Sequence, residues 1–227
     1  MTPHPVRAVG IVGGTGPMGR GLAVRLAGAG VGLLLGSRDP ERARTAAAHL
    51  RQLLGGSRAV EILGGGNLEA AGHGQLTLLT IPYEADSPSL QALAPHLRDR
   101  VTVSTAAPME FRAGIPHPLH PPAGSAAQEL AQLCPEALVV GAFHTVSASL
   151  LGRMEAVLAE DVIVTSDHSQ AKDLVLALVG MLDGLRGVDG GRLANSAFTE
   201  GLTPFLLRLN RLHRAATGVR VTGLAQV

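Results

Sequence analysis

Five apolar residues, Ala8-Val9-Gly10-Ile11-Val12, run directly into Gly13-Gly14-Thr15-Gly16-Pro17-Met18-Gly19, and a helix-like segment follows to about Ala29. Strand, glycine turn and helix in that order read as a βα unit of a parallel sheet. Gly14, Gly16 and Gly19 form G-x-G-x-x-G. In such a unit Gly14 permits the tight turn, Gly16 lets a pyrophosphate approach the backbone, and Gly19 lets the helix pack on its strand. The free N–H groups at the helix start then face the phosphates. The pattern by itself is weak in a chain with 29 glycines in 227 residues. Its place between an apolar strand and a helix separates it from an ordinary Gly-rich turn.

A second apolar run, Val31-Gly32-Leu33-Leu34-Leu35, leads into Gly36-Ser37-Arg38-Asp39-Pro40. An NAD site carries an acid at the end of this strand, bonding the ribose 2′-hydroxyl. Ser37 and Arg38 stand there instead. A serine donor and a guanidinium suit a 2′-phosphate, which a carboxylate repels. Arg42 falls one turn into the next helix and adds a third contact. The plainer reading makes Arg38 and Arg42 solvated helix-start residues; the missing acid weighs against it. Asp39 is one step late and reads as an N-cap before Pro40. NADP is therefore expected over NAD.

Alternation continues along the chain. A helix is expected from Pro40 to about Leu54, a short strand over Ala59 to Leu63, and a short helix around Asn67 to Ala71 after Gly64-Gly65-Gly66. Gln75 to Ile81 reads as a buried strand ending at Pro82, Ser87 to Leu97 as a helix, and Val101 to Ser104 as a strand. Short connections between these units imply a doubly wound parallel sheet, with ligands beyond the strand carboxyl ends. Residues 105–124 are Pro-rich and read as irregular. Ser125 to Gln128 is a capping-box start for a helix to about Leu133, and Ala137 to Ala142 is another strand. A smaller α/β unit follows, with strands over Asp161 to Thr165 and Leu185 to Val188 and a helix over Ser169 to Met181. A long helix runs from about Leu193 to Arg214 and is interrupted by Pro204. Asn195 and Ser196 read as its cap.

Bulk properties exclude several classes. Net charge is +1 and Lys172 is the only lysine, so no nucleic-acid footprint is visible. Cys134 is the only cysteine, which leaves no intramolecular disulfide and no Cys-based metal site. The first strand begins within a few residues of Met1, leaving no evident signal peptide, and no apolar run reaches the length of a membrane span. The expectation is a cytoplasmic protein with small-molecule partners, no nucleic acid, no membrane and no metal. A homodimer is an open option. His117 and His120 lie in a proline loop without a carboxylate or cysteine partner.

With these segments in place, the chain resembles the family of F420-dependent NADP oxidoreductases over nearly its whole length. The resemblance rests on Gly13-Gly14-Thr15-Gly16, Gly36-Ser37-Arg38, Leu79-Thr80-Ile81-Pro82 and His144-Thr145. More specific are Leu182-Asp183-Gly184-Leu185-Arg186, Asp189-Gly190, Leu193, Asn195-Ser196 and Leu202-Thr203-Pro204. It implies a Rossmann NADP-binding domain over 1–150 and a small C-terminal α/β lobe over 151–227, with the deazaflavin in the cleft between them. By position, Thr15, Gly16, Pro17 and Met18 would hold the pyrophosphate. Ser37, Arg38 and Arg42 would hold the 2′-phosphate, and Ile81, Ala107 and Ala148 would line the nicotinamide end. His144 and Thr203 would contact the deazaflavin. The chain departs from archaeal members at Tyr83 and Gly201, where those carry Trp and Ser, and its stretch Ile115 to Pro122 has no recognisable counterpart.

The resemblance implies hydride transfer between NADP(H) and coenzyme F420 as co-substrate. Such a transfer between stacked ring carbons needs orientation more than side-chain chemistry, and no residue is assigned as catalytic. His144 has an equally weighted structural reading, bonding local backbone. Thr203 has one too, bonding the preceding helix turn. Two other functions stay open at this level. One is an NADP-dependent reductase of a small imine, ketone or hydroxy acid, which needs a Lys, Tyr, His or Asp as proton donor; Lys172 and Tyr83 are the only residues of their types, and neither is clearly poised. The other is a non-catalytic NADP-binding sensor.

Overall fold

The computed structural model describes residues 6–55, 60–84 and 87–224. In chain order the strands are β1 (Ala8–Val12), β2 (Gly32–Ser37), β3 (Ile62–Gly66), β4 (Leu76–Leu79), β5 (Val101–Ser104), β6 (Met109–Arg112), β7 (Ile115–Pro118), β8 (Leu138–Gly141), β9 (Glu160–Ser166) and β10 (Leu185–Asp189). The helices are α1 (Pro17–Gly28), α2 (Pro40–Leu53), α3 (Asn67–Ala71), α4 (Pro88–Leu93), α5 (Ala126–Leu133), α6 (Ala148–Leu151), α7 (Ser169–Gly180) and α8 (Ser196–His213). Eight strands form one sheet in the order β10-β9-β8-β5-β4-β1-β2-β3. The run β3-β2-β1-β4-β5-β8 is parallel throughout, the doubly wound arrangement that βα alternation implies. Strand order reverses at β1, so a crevice opens between the carboxyl ends of β1 and β4.

Local chemistry explains the helix starts. Asp39 accepts from the N–H groups of Glu41 and Arg42, with Pro40 at the first helical position of α2. Ser125 caps α5 by accepting from Gln128 N. The core lies on both sheet faces, as alternation along each strand requires. Leu78 and Val140 pack with Leu22, Leu26, Val175 and Leu178 on one face. Leu79 and Val139 pack with Leu93, Leu97 and Leu130 on the other.

Three expectations change. The third strand starts later than expected and absorbs the glycine run, while Ala59 lies outside the described residues. The reason is steric. A Cβ on Gly64 would sit 2.4 Å from the Ala43 carbonyl, so only glycine lets α2 lie against β3. Residues 105–124 are not wholly irregular, because β6 and β7 form an antiparallel hairpin. Ala113 and Gly114 turn it with φ of 49° and 75°, and Pro116 and Pro118 are tolerated because the ribbon has open edges. The helix expected over Ser87 to Leu97 stops at Leu93 and continues as a 3₁₀ turn over Ala94–His96 around Pro95.

Beyond residue 150, β9 and β10 extend the same sheet. β9 runs antiparallel to β8 and meets it at two register pairs only, Val140 with Ser166 and Gly141 with Thr165. The first five residues of β9 therefore project past the carboxyl edge of β8, by roughly 16 Å at the rise of an extended strand. β10 lies parallel beside it. The C-terminal segment thus overhangs the strand ends where a Rossmann sheet binds its ligands. No helix among the described residues is long and apolar enough to cross a membrane.

Candidate functional site

The glycine turn leaves β1 with Gly13, not Gly14, in the left-handed region, at φ 76°. This corrects the expected division of labour. Gly14 is needed for proximity: its N–H donates to Gly36 O at 2.8 Å, and a Cβ would lie 3.1 Å from Leu35 Cα. Gly19 packs as expected, since a Cβ there would meet Gly13 O at 2.6 Å and Gly14 Cα at 2.7 Å. Gly16 differs from both. Its Cβ would meet only Gly13 O, at 3.3 Å, so the space in front of it is open. Gly16 is also the N-cap of α1 and offers no side-chain cap, which leaves the first amides of α1 to a ligand. Asn67, which sequence reading treated only as a helix start, fixes this turn by accepting from Gly13 N at 3.1 Å.

Ser37 ends β2 beside the turn. Its hydroxyl accepts from Asp39 N at 3.2 Å and lies 3.5 Å from the Thr15 hydroxyl. Asp39 is committed to its cap. Arg38 and Arg42 are exposed and form no ion pair with any described residue, whereas Arg44 on the same helix is paired with Glu41. Two uncompensated guanidinium groups thus flank Ser37, with no acid at the strand end.

Ile81 follows β4, Ala107 follows β5 and Ala148 opens α6, so all three expected nicotinamide-end residues stand in connections that leave strand carboxyl ends. Thr80 donates to Val12 O at 2.8 Å and Thr105 donates to Leu79 O at 3.1 Å, tying neighbouring strand ends together. Arg25 on α1 holds the chain around α6 through the carbonyls of Leu150 at 3.0 Å, Leu151 at 3.1 Å and Ala156 at 2.8 Å. Beside Ile81, between α4 and α5, lies a cavity of about 420 Å³ that Tyr83, Ser104, Ala106 and Leu130 also line. Tyr83 donates to Glu129 at 3.0 Å.

His144 and Thr203 are brought together. Thr203 Oγ1 donates to the His144 carbonyl at 2.8 Å, not to the preceding helix turn. The His144 side chain is 1% exposed, and Thr199 Oγ1 lies 3.2 Å from its Nδ1. Its Nε2 is buried and has no hydrogen-bond partner among the described residues. Burial pushes the ring down to about 4, with the Ser104 backbone working weakly the other way. Sequence reading missed Thr199 and Glu200. An acid within the apolar first half of a helix was the available signal for Glu200. Its carboxylate accepts from Ala126 N at 2.8 Å and Ala127 N at 3.1 Å, and burial pushes it up to about 7 against those two donors.

Asn195 stands at the N-cap of α8 as expected, but its side chain makes no cap bond there. A 3₁₀ turn over Leu193–Asn195 precedes the helix, which directs Asn195 Nδ2 to Gly190 O at 2.7 Å and Ser196 Oγ to Thr165 Oγ1 at 2.6 Å. Lys172 lies 2.7 Å from Asp189 Oδ1, so it is not poised as a donor. His117 Nδ1 is 3.2 Å from Arg208. Among the described residues no three His, Cys, Asp or Glu are grouped to hold a metal ion.

A family model described as NADP oxidoreductase, coenzyme F420-dependent, matches residues 8–108. Over 221 residues the chain is 34% identical to the F420-dependent NADP reductase of Methanocaldococcus jannaschii, covering 95% of this chain and 98% of that protein. Over 226 residues it is 32% identical to the F420-dependent NADP reductase of Methanothermobacter thermautotrophicus, covering 97% of each. A crystal structure of a candidate F420-dependent NADP reductase from an Arthrobacter species superposes with a TM-score of 0.74 at 27% identity, covering 94% of this chain and 96% of that one. An imine reductase from Bacillus cereus, at 17% identity, TM-score 0.53 and 92% and 64% coverage, shares the fold alone.

Proposed function

The chain belongs to the coenzyme F420-dependent NADP oxidoreductases and transfers a hydride between NADP(H) and F420; from that premise we propose which of its residues carry each part. The single observation that supports the assignment most is the open space at Gly16, set between the uncapped start of α1 and two unpaired guanidinium groups.

The residues present fit both partners. Thr15, Gly16, Pro17 and Met18 hold the pyrophosphate on the amides of α1. Ser37, Arg38 and Arg42 hold the 2′-phosphate with charge-assisted hydrogen bonds. Ile81, Ala107 and Ala148 border the nicotinamide, excluding water with small and aliphatic surfaces. For the deazaflavin, the orphaned Nε2 of His144 is a buried polar atom awaiting a partner, and Thr203 fixes the main chain beneath it. When bound, the two coenzymes supply the redox chemistry, and a hydride passes between their ring carbons. The protein supplies proximity and a dry crevice. The overhanging segment 151–227 is its C-terminal lobe and residues 1–150 its nucleotide-binding domain.

Three large apolar side chains on α8, Phe198, Phe205 and Leu212, are 75%, 55% and 73% exposed and spaced seven apart. That stripe supports a homodimer in which α8 packs against a second copy. The small-molecule substrates are consistent with a cytoplasmic place.

Anaerobic mixing of the protein with NADPH and F420 tests the function. Loss of the oxidised deazaflavin absorbance is expected, and an unchanged spectrum overturns the reading.

A further inference from the structure

Reduction of a deazaflavin consumes a proton as well as a hydride: NADPH, oxidised F420 and one proton give NADP⁺ and reduced F420. Hydride transfer therefore needs a partner reaction at a ring nitrogen, and in the reverse direction that nitrogen must lose its proton.

Two ionisable side chains meet behind the strand ends, from elements far apart in sequence. Glu200 Oε1 on α8 lies 3.9 Å from Nε2 of His144, and their side chains are 3% and 1% exposed. Thr199 gives its hydroxyl hydrogen to Ser196 O at 3.1 Å, so its oxygen accepts from Nδ1 of the ring. Nε2 is then the bare nitrogen, and it has no partner among the described residues. The N–H groups of Ala126 and Ala127, the first two residues of α5, hold the carboxylate. They stabilise the anion that a departing proton leaves behind. Glu200 also lines a cavity of about 70 Å³ with Ala197, Gly201, Pro118 and His120. That space is large enough to hold water, and His120 at its edge is exposed.

We propose that Glu200 holds the proton that accompanies hydride transfer, beside the bare Nε2 of His144, and exchanges it with solvent through the small cavity. The inference rests on the proposed contact between His144 and the deazaflavin. During F420 reduction the O–H bond of Glu200 breaks and its electron pair stays on the carboxylate. The proton passes to the deazaflavin ring nitrogen held against Nε2 of His144, where an N–H bond forms. Water at the His120 side returns a proton to Glu200, and oxidation of reduced F420 runs the same path backwards. The charged or titratable groups facing Glu200 are His144 from the turn after β8, Glu129 and the helix start on α5, and His120 across the cavity. Burial, with Glu129 adding to it, keeps the carboxyl protonated to about pH 7, so it can both give and regain a proton near neutrality.

The test compares the intact protein with Glu200→Gln and Glu200→Asp. In wild type, kcat/KM for F420 reduction is expected to fall as pH rises through about 7, and for oxidation of reduced F420 to rise over the same range. Glu200→Gln should remove the inflection near pH 7 from the profile for F420 reduction and slow turnover about tenfold with NADPH affinity unchanged. Glu200→Asp should restore the inflection. Infrared titration of the coenzyme-free protein should show a protonated carboxyl band that disappears near neutral pH and is missing in Glu200→Gln. Wild-type profiles retained in Glu200→Gln, or a band that titrates in the ordinary carboxylate range, overturn the proposal. Absence of F420 turnover in wild type would instead remove the functional reading itself while leaving the infrared result intact.

Discussion

Thr203 joins the middle of α8 to the turn after β8 by donating its hydroxyl hydrogen to the His144 carbonyl across 2.8 Å. Thr203→Val keeps the shape and removes this bond, worth about 0.5–1.5 kcal/mol. The expected outcome is a few-fold to about tenfold higher KM or lower kcat for F420, with the KM for NADPH unchanged. Steady-state kinetics with each substrate varied in turn separates the two. An equal loss for both substrates would point to general unfolding.

Arg38 stands exposed at the end of β2 without an ion pair among the described residues. Arg38→Ala should weaken NADPH binding by about 10- to 100-fold, from charge-assisted bonds of roughly 1.5–3 kcal/mol. NADH, which lacks the 2′-phosphate, should be nearly unaffected. Fluorescence titration with each nucleotide reads this directly, and matching losses would defeat the assignment.

Gly16 and Gly19 should fail in different ways. Gly16→Val meets only Gly13 O, at 3.3 Å, and otherwise fills the pyrophosphate position, so the melting temperature should change little while NADPH binding collapses. Gly19→Ala drives a methyl against backbone at 2.6 Å and 2.7 Å. That variant should lose stability, by about 1–3 kcal/mol for a forced shift in a packed region. A calorimetric scan beside a binding titration distinguishes the two losses.

Much of this site was legible in the sequence because it depends on local order. A strand, three glycines and a helix start fix the dinucleotide turn within residues 8–29, and the strand-end Ser37 and Arg38 are read by position. What escaped depends on contacts across long separations. Asn67 bonds Gly13 over 54 residues, and Glu200 reaches Ala126 over 74. The β6–β7 hairpin escaped for another reason: its prolines argue against a central strand, and a two-stranded ribbon has no centre. The glycine run ending β3 reads in the sequence only as the lead into α3, because its requirement, the backbone of α2 lying against it, is tertiary.

His144 and Glu200 should give opposing pH dependences of stability. His144 is lowered from 6.5 to about 4, so the unfolded chain binds more protons in that window and acid destabilises the fold. Glu200 is raised from 4.5 to about 7, so its contribution is present below 4.5 and lost as pH rises to about 7. The two offset each other where the windows overlap. Glu200→Gln removes the second effect. Relative to wild type, its unfolding free energy from urea titration should therefore climb between about pH 5 and pH 7, with a slope of up to about 1.4 kcal/mol per pH unit. A constant difference across that range would show that Glu200 titrates normally.

The junction of β8 and β9 has a mechanical consequence. Two register pairs attach the overhanging strands to the rest of the sheet, whereas β9 and β10 share five. So short a seam is where the sheet should part first, giving the protein two cooperative units with separate opening free energies. Deuterium should enter the amides of β9 and β10 before those of β1, β4 and β5. Saturating NADP⁺ should slow exchange at the second group far more than at the first, since the nucleotide rests on the strands that the seam leaves behind.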